Sequence, residues 1–400
     1  MKILVLSTWF PYPLIQGSKL RAYYLIRGLS QEHEVYLLSM QDAPVREADL
    51  AEMQRFCRHV EVVPAHPFDA PRWKKRLSLF SLQPSAAAAA YAPEMAAAVH
   101  RAAQKFQPDA VFALTFVTAP YALQTQIPLR IVDMDNLLAL MLKETWQRAA
   151  GPQRWRAYLA YWKFARYARR LYSQFDYALV CSEEDFVRAH AYIPMPAGHI
   201  RAIANGVESS PVLPAPNQKQ PDSLIFNGAV TYAPNLDAVQ YFAAQILPLI
   251  RAQNEQVQLT ITGRKTGVNP DHLPPASDHL RYSGFVEDIR ALVAQSQICV
   301  VPLRQGAGTR LKILEAMAVG TPVVTTSKGA EGLSAIPGQH LLIGDTPQEF
   351  ARHTLALLAD EKLRERIRQS AHQFVREKYN WPAIQAQFNQ LIQSAEKERV

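Results

Sequence analysis

The chain has 400 residues, of which 48% are hydrophobic, 20% charged and 10% aromatic. That is enough apolar material for two domains of roughly 100 to 200 residues each, and it excludes a disordered or fibrous protein. The formal net charge of +8 is uneven, with +7 on residues 1–205 and +1 on residues 206–400. A basic excess of this kind suits an anionic partner such as lipid headgroups, a phosphorylated substrate or nucleic acid, and it equally suits an ordinary solvated surface. No run approaches 18 clean apolar residues, so no membrane-spanning helix is expected. The apolar stretch Ile3 to Ile15 is broken by Ser7, Thr8, Pro11 and Pro13, and only Lys2 precedes it, so no secretory signal is expected either. Cys57, Cys181 and Cys299 are odd in number and far apart. They exclude a disulfide framework and a CxxC metal knuckle, and they fit a reducing cytosol.

Short β-rich apolar runs alternate with longer helical patterns, which predicts an α/β fold with parallel sheets and crossover helices. The first series of strands is expected at Lys2 to Ser7, Glu34 to Ser39, Val60 to Val63, Ala110 to Leu114, Leu129 to Val132 and Ala178 to Cys181. Ala86 to Ala90 reads as a loop or a helix start. A polar, proline-rich passage from Ser209 to Ser223 reads as an exposed linker. Beyond it, strands are expected at Ser223 to Asn227, Val257 to Thr262, Leu280 to Ser283, Gln297 to Val301, Pro322 to Thr325 and His340 to Ile343. Residues from about Thr346 to Glu398 read as two or three helices broken at Trp381-Pro382, because proline disfavours the helical conformation of the residue before it. The expected organisation is a Rossmann-like domain over 1–205, a second over 206–380, and a C-terminal helix over 381–400 packing back toward the first. Ligands of such sheets sit outside the carboxyl ends of the strands, so the site is expected on strand-to-helix loops facing a cleft between the domains. No GxGxxG follows a strand, which argues against a dinucleotide dehydrogenase.

The most informative segment runs from Ile298 to Gly320. A buried strand leads into a loop with Gly306 and Gly308, and a helix is expected to start near Thr309 with its hydroxyl as cap. Backbone amides and the positive helix end make an anion pocket lined by Gly306, Ala307, Gly308, Thr309 and Leu311. Cations at a helix N-terminus call for a bound anion, so Arg310 and Lys312 read as diphosphate ligands. Glu315 lies one turn deeper, where it can accept hydrogen bonds from sugar hydroxyls. The competing reading of Lys312 and Glu315 is a surface ion pair at i,i+3, which leaves the adjoining glycines without a purpose.

Gly306-x-Gly-Thr-Arg-Leu-Lys-Ile-Leu-Glu-Ala-Met-Ala-x-Gly-x-Pro-Val-Val324 resembles the donor-site segment of family 4 glycosyltransferases, which are retaining enzymes of the GT-B fold. Gly228 with Pro234-Asn-Leu-Asp-Ala238, Ser283-Gly-Phe-Val-Glu-Asp-Ile289 and Gly329-Ala-Glu-Gly332 add to that resemblance. Pro11-Tyr-Pro, Gly17-Ser-Lys-Leu-Arg21, Val132-Asp-Met-Asp-Asn136 and Asn205-Gly-Val207 are similar to sugar transferases of bacterial exopolysaccharide clusters. The resemblance implies that Glu315 contacts the donor ribose and that Lys312 and Arg310 neutralise its diphosphate. It implies that backbone at Phe285 and Val286 holds the base and that Gly17 and Gly228 approach the donor. On the acceptor side it implies Ser18, Lys19, Arg21 and Asp133. Two departures stand out. Ala307 occupies the position, eight before Glu315, where the family usually has a second glutamate. The Arg and Lys that often follow the first donor-domain strand are replaced by Ala229 and the Pro234-Asn235 stretch, with Arg264 as a substitute charge.

Glycosyl transfer needs the leaving diphosphate stabilised, and fixed cations with helix amides supply that stabilisation. No metal and no cofactor are expected, because the donor half has no DxD or carboxylate cluster of metal spacing. Asp133 and Asp135 follow a strand at a loop where related enzymes often carry a histidine. Asp135 can orient a sugar by hydrogen bonds, or else Asp135 or Asn136 caps the next helix. None of the eleven histidines occupies a catalytic position. Arg72 to Arg76 and Gln153 to Tyr172 are basic with interleaved aromatics. On a helix, Trp155, Leu159, Trp162 and Ala165 form an apolar stripe flanked by Arg156, Lys163, Arg166, Arg169 and Arg170. Such a stripe either packs into the core or rests on an anionic membrane. The expected protein is thus a cytoplasmic enzyme, peripheral at the membrane's inner face, that takes a nucleotide sugar and a saccharide or lipid-linked acceptor. The rivals are a nucleotide-sugar epimerase on the same fold and a nucleic-acid-binding protein, the latter not favoured.

Overall fold

The computed structural model describes residues 1–65, 81–196, 198–209, 219–286, 288–306 and 308–398. Arg72 to Arg76, Ala307 and most of the proline-rich linker lie outside these residues. The chain divides into two compact units, one formed by Met1–Ala204 with Ile384–Val400, the other by Asn205–Ala383.

In the first unit the strands are β1 (Lys2–Ser7), β2 (Glu34–Met40), β3 (His59–Val63), β4 (Ala110–Leu114), β5 (Leu129–Asp133), β6 (Tyr177–Val180) and β7 (Ile200–Ala202). They form one parallel sheet in the order β3-β2-β1-β4-β5-β6-β7. Continuous apolar runs dictate this arrangement. Ile3 to Leu6 and Ala110 to Leu114 are buried along their whole length, as strands covered by helices on both faces must be. Leu4, Leu6, Val111, Ala113, Val132 and Val180 share one core with Phe164 and Ala168. Each such side chain contributes about 1.5 to 3 kcal/mol on burial, alanine less.

The second sheet contains β8 (Gln220–Phe226), β9 (Gln258–Thr262), β10 (Leu280–Gly284), β11 (Ser296–Val301), β12 (Val323–Thr325) and β13 (Leu342–Ile343). All its pairs are parallel, in the order β10-β9-β8-β11-β12-β13. Two Rossmann-like units of α/β type are therefore present, as the alternation of strands and helices predicts.

Some boundaries differ from expectation. β7 was not anticipated, since its three residues Ile-Arg-Ala carry too little pattern. β13 is shorter than His340 to Ile343 because His340 is tied into a turn, its ring Nδ1 accepting from the Ile336 amide at 3.0 Å and its own amide donating to the Ile336 carbonyl at 2.9 Å. The break before the final helix falls at Tyr379 and Asn380 instead of Trp381-Pro382. Pro382 is the second residue of the helix Trp381–Lys397, a position where a missing N–H costs nothing. Within the first unit this helix is held by Gln385 donating to the Tyr24 carbonyl at 2.7 Å, Asn389 donating to the Gly28 carbonyl at 3.0 Å, and Phe388 packed on Phe112.

Candidate active site

In an open parallel sheet the crossovers on either side of a topological switch point diverge and leave a crevice at the carboxyl ends of the strands. In the second unit the switch lies between β8 and β11. The loop after β11 carries Gly306 at φ 105° and Gly308 at φ 83°, left-handed positions that favour glycine. It delivers the chain into the helix Leu311–Ala318, whose Ile313, Leu314, Ala316, Met317 and Ala318 are buried. Burying that face leaves Lys312 and Glu315, three residues apart, together toward the end of β8. There the Asn227 amide donates to the Lys312 carbonyl and to the Glu315 carboxylate, both at 3.2 Å.

The Lys312 ammonium lies over the Phe226 ring, 4.3 Å from its centroid, and donates to Asn235 Oδ1 at 2.6 Å. It fills the space above Gly228, where an added Cβ would lie 2.6 Å from Lys312 Nζ and 2.9 Å from Asn235 Nδ2. Burial pushes the Lys312 amine down to about 7, with Cys299 and Glu315 pulling it up and Arg310 pushing it further down. Burial pushes the Glu315 carboxyl up, opposed by Lys312 and the Asn227 hydrogen bond. Among the described residues Lys312 forms no ion pair, and a buried amine so placed is a poor stabilising element and a good receptor for an anion.

The helix start differs from expectation. Arg310, not Thr309, precedes the first helical residue, and no side chain caps it. Arg310 is buried, and its guanidinium donates back to the Gly306 carbonyl at 2.8 Å, which holds the glycine loop against its own helix. The Leu311 and Ile313 amides are already used by the Thr309 and Arg310 carbonyls. The pocket therefore relies on the Lys312 charge more than on the amides expected for it. At the ends of β9 and β10, the Arg264 guanidinium lies 5.2 Å over the ring of Phe285, which is 57% exposed. Val286 follows, half-buried.

In the first unit Gly17 is exposed and opens the helix Gly17–Leu29 with no side-chain cap. Ser18 donates to Asp135 Oδ2 at 2.6 Å. Arg21, 1% exposed, makes a bidentate pair with Asp133 at 2.7 and 2.9 Å and donates to the Ile203 and Ala204 carbonyls. Lys19 is buried against Asp42 at 2.8 Å. Lys19, Arg21 and Asp133 are thus corrected from acceptor contacts to internal braces, because each is buried with its charge already matched. Burial works against the Arg21 charge, yet Asp133 keeps the guanidinium firmly protonated. Neither Asp135 nor Asn136 caps a helix, since Leu137 precedes the helix Leu138–Arg148. Asp135 instead adopts φ 48°, its carboxyl pushed up by burial and by Asp133, with Ser18 and Arg21 opposing.

Residues 221–360 match the family model described as Glycosyl transferases group 1. A curated relative, an uncharacterized 44.6 kDa protein in the cps region of Klebsiella pneumoniae, is 27% identical over 165 residues. That match covers 40% of this chain and 42% of the relative, less than half of either. Among solved structures, sucrose-phosphate synthase of Thermosynechococcus elongatus superposes with a TM-score of 0.74 at 16% identity, over 100% of both chains. Anabaena HepE in complex with UDP and glucose superposes with a TM-score of 0.67 at 18% identity, over 98% of this chain and 100% of that one. The fold is GT-B, and the stretch of the second unit from 221 to 360 is similar to group 1 glycosyl transferases. The resemblance carried by Gly306 to Val324 and by Gly228 with Pro234 to Ala238 falls inside the matched residues.

Sequence reasoning on the second unit gave no site role to Asn227 and Asn235, which hold Glu315 and Lys312. Their signal was faint, an asparagine ending a strand and another in the first turn of the helix Ala233–Tyr241, where such a residue reads as turn chemistry. Thr115 was also missed. It sits at the switch point of the first sheet with φ 73°, rare for a β-branched residue, and its hydroxyl meets that of Thr8 at 2.9 Å.

The helix Gly151–Tyr172 buries Lys163, Phe164, Ala168, Leu171 and Tyr172. Lys163 therefore belongs to the inner face, a correction to its expected flanking place, and Ala165 packs against the core. Trp155, 76% exposed, stands outward with Leu159 and Trp162. Arg166, Arg169 and Arg170 line a groove of about 570 Å³ with Tyr161, Trp162 and Tyr192. Among the described residues no helix is long and apolar enough to cross a membrane.

Proposed function

We propose that this protein is a glycosyltransferase that moves a sugar from a nucleoside-diphosphate donor to a saccharide or lipid-linked acceptor, with retention of configuration and without a metal. The observation that carries the reading is Lys312 and Glu315 on one helix face at the switch point of the second sheet, beside Gly228. In this reading Glu315 accepts from the ribose hydroxyls, and Lys312 meets the diphosphate and takes up the charge that develops as the glycosidic C–O bond breaks. Arg310 keeps the glycine loop in shape beside it, with Gly306, Gly308, Thr309 and Leu311 forming the wall. The Arg264–Phe285 ledge, with Val286, offers a stacking surface for the base. Within the first unit, Gly17 and Ser18 with Asp135 are the residues this reading assigns to sugar or acceptor binding. Complexes of Anabaena HepE with UDP and with UDP-glucose support a nucleotide-sugar ligand for this fold.

The test is product analysis with a panel of nucleotide sugars and saccharide acceptors. The anomeric proton of the product is expected to show the donor's configuration in its coupling constant, and EDTA is expected to leave the rate unchanged. Inverted product, or a donor sugar altered at a ring carbon without transfer, would point to another chemistry, the latter to an epimerase.

The exposed Trp155, Leu159 and Trp162 beside Arg166, Arg169 and Arg170 favour attachment to an anionic bilayer, where an enzyme meets a lipid-linked acceptor. The protein is expected to sediment with phosphatidylglycerol-containing vesicles in low salt and not with pure phosphatidylcholine. Changing Trp155 and Trp162 to serine together is expected to lower that binding at least tenfold. Equal binding to both vesicle types would refute the proposal.

A further inference from the structure

Asn235 is placed in a way that the ordinary roles of a helix asparagine do not require. Its Nδ2 donates to the Ala229 carbonyl at 2.8 Å, and its Oδ1 accepts from Lys312 Nζ at 2.6 Å. Only one orientation of the amide satisfies both bonds, so the side chain is locked between the loop after β8 and the helix that carries Lys312. An amide oxygen accepts from a neutral amine as well as from an ammonium, more strongly from the ammonium, and carries no charge of its own. A carboxylate at the same place would hold Lys312 permanently charged and occupied.

We infer that Asn235 is a positioning residue which keeps Lys312 at the end of β8 in readiness for protonation, so that the donor pyrophosphate and one proton bind together. This inference rests on the donor-site reading above and deepens it. The groups facing the amine support it. Its own helix contributes Glu315, the residue before that helix is Arg310, and β11 contributes the buried Cys299 thiol, whose own pKa burial pushes up to about 12. β8 contributes Phe226, Asn227 and Gly228, none of which titrates, and the helix Ala233–Tyr241 contributes Asn235 itself. No carboxylate among the described residues forms an ion pair with Lys312 that would keep it charged. With the amine near 7 in the free protein, a pyrophosphate that raises its pKa draws a proton from solvent onto Nζ. The sign follows directly. Affinity is constant below about pH 7 and falls as the pH climbs above it, because the free protein then lacks the proton that the complex holds.

The experiment is calorimetry of UDP-glucose and of GDP-mannose binding at pH 7.5, in buffers of low and high ionisation enthalpy. The pyrophosphate of either sugar does not titrate near this pH, so proton uptake reports the protein. Wild type is expected to take up a measurable fraction of a proton, because an amine pushed down by burial is partly deprotonated in the free protein at that pH. Lys312→Met is expected to abolish the uptake, and Glu315→Gln to retain it. Asn235→Asp, nearly isosteric though it loses the bond to the Ala229 carbonyl, is expected to bring it close to zero and to weaken binding at least tenfold. Should wild type bind without proton uptake, or N235D take up as much as wild type, this inference falls and the donor site stands. If neither nucleotide sugar binds wild type, the donor-site reading falls and takes the inference with it.

Discussion

Lys312→Met is expected to lower kcat/KM by about 10²- to 10³-fold, or roughly 2.7 to 4 kcal/mol of transition-state stabilisation, the usual loss when one preorganised charge-stabilising group is removed. The amine is enclosed by Phe226, Gly228 and Asn235, and the neighbouring Arg310 guanidinium is turned to the Gly306 carbonyl. Its loss therefore should not be covered by a neighbour. The diphosphate is charged in the ground state and gains charge as the sugar leaves, so kcat is expected to fall and KM to rise. Stability should move the other way or not at all. A buried amine pushed toward neutrality contributes little to folding, and methionine fills similar space. Steady-state kinetics beside a thermal melt check both halves. A variant with unaltered kcat/KM would remove Lys312 from the chemistry.

Arg21→Met is expected to destabilise the first unit by about 3 to 5 kcal/mol, because it leaves the Asp133 carboxylate buried without its bidentate partner. For a unit of this size that loss lowers the melting temperature by on the order of 10 °C. Two further acceptors, the Ile203 and Ala204 carbonyls, lose their donor as well. Combining Arg21→Met with Asp133→Leu is expected to recover a large part of the loss, since no charge is then stranded. Calorimetric melts of the two single variants and the double variant give the coupling. A single variant that melts with wild type would show that the pair does not brace the unit. The distinction matters for function, because Ser18 and Asp135 hang from the same loop and helix turn that Arg21 and Asp133 secure.

Much of this architecture was legible because parallel strands buried on both faces leave unbroken apolar runs such as Ile3 to Leu6 and Ile298 to Val301, and no partner need be known to read them. The segment from Gly306 to Glu315 was legible for a similar reason. Gly306, Gly308, Lys312 and Glu315 lie within ten residues, and their spacing alone puts them on one loop and one helix face. What escaped was long-range pairing. Arg21 finds Asp133 across 112 positions, and Asn235 finds Lys312 across 77, distances over which composition carries no information. Arg21 and Lys19 therefore read as available cations when each is already matched. The start of the donor helix was misplaced for a local reason, since Arg310 turns back on Gly306 and spends its backbone outside the helical region. The acidic pair was open between capping and chemistry, and the structure removes the capping role, with Asp133 matched by Arg21 and Asp135 held by Ser18.

The final helix closes the first unit although its residues are the last of these to be joined to the chain. During synthesis everything from Asn205 to Ala383 leaves the ribosome before Gln385, Phe388 and Asn389 can reach Tyr24, Phe112 and Gly28. The usual order, in which the earlier domain matures first, is therefore reversed here. The second unit can finish while its predecessor waits, incomplete, for the closing residues to emerge.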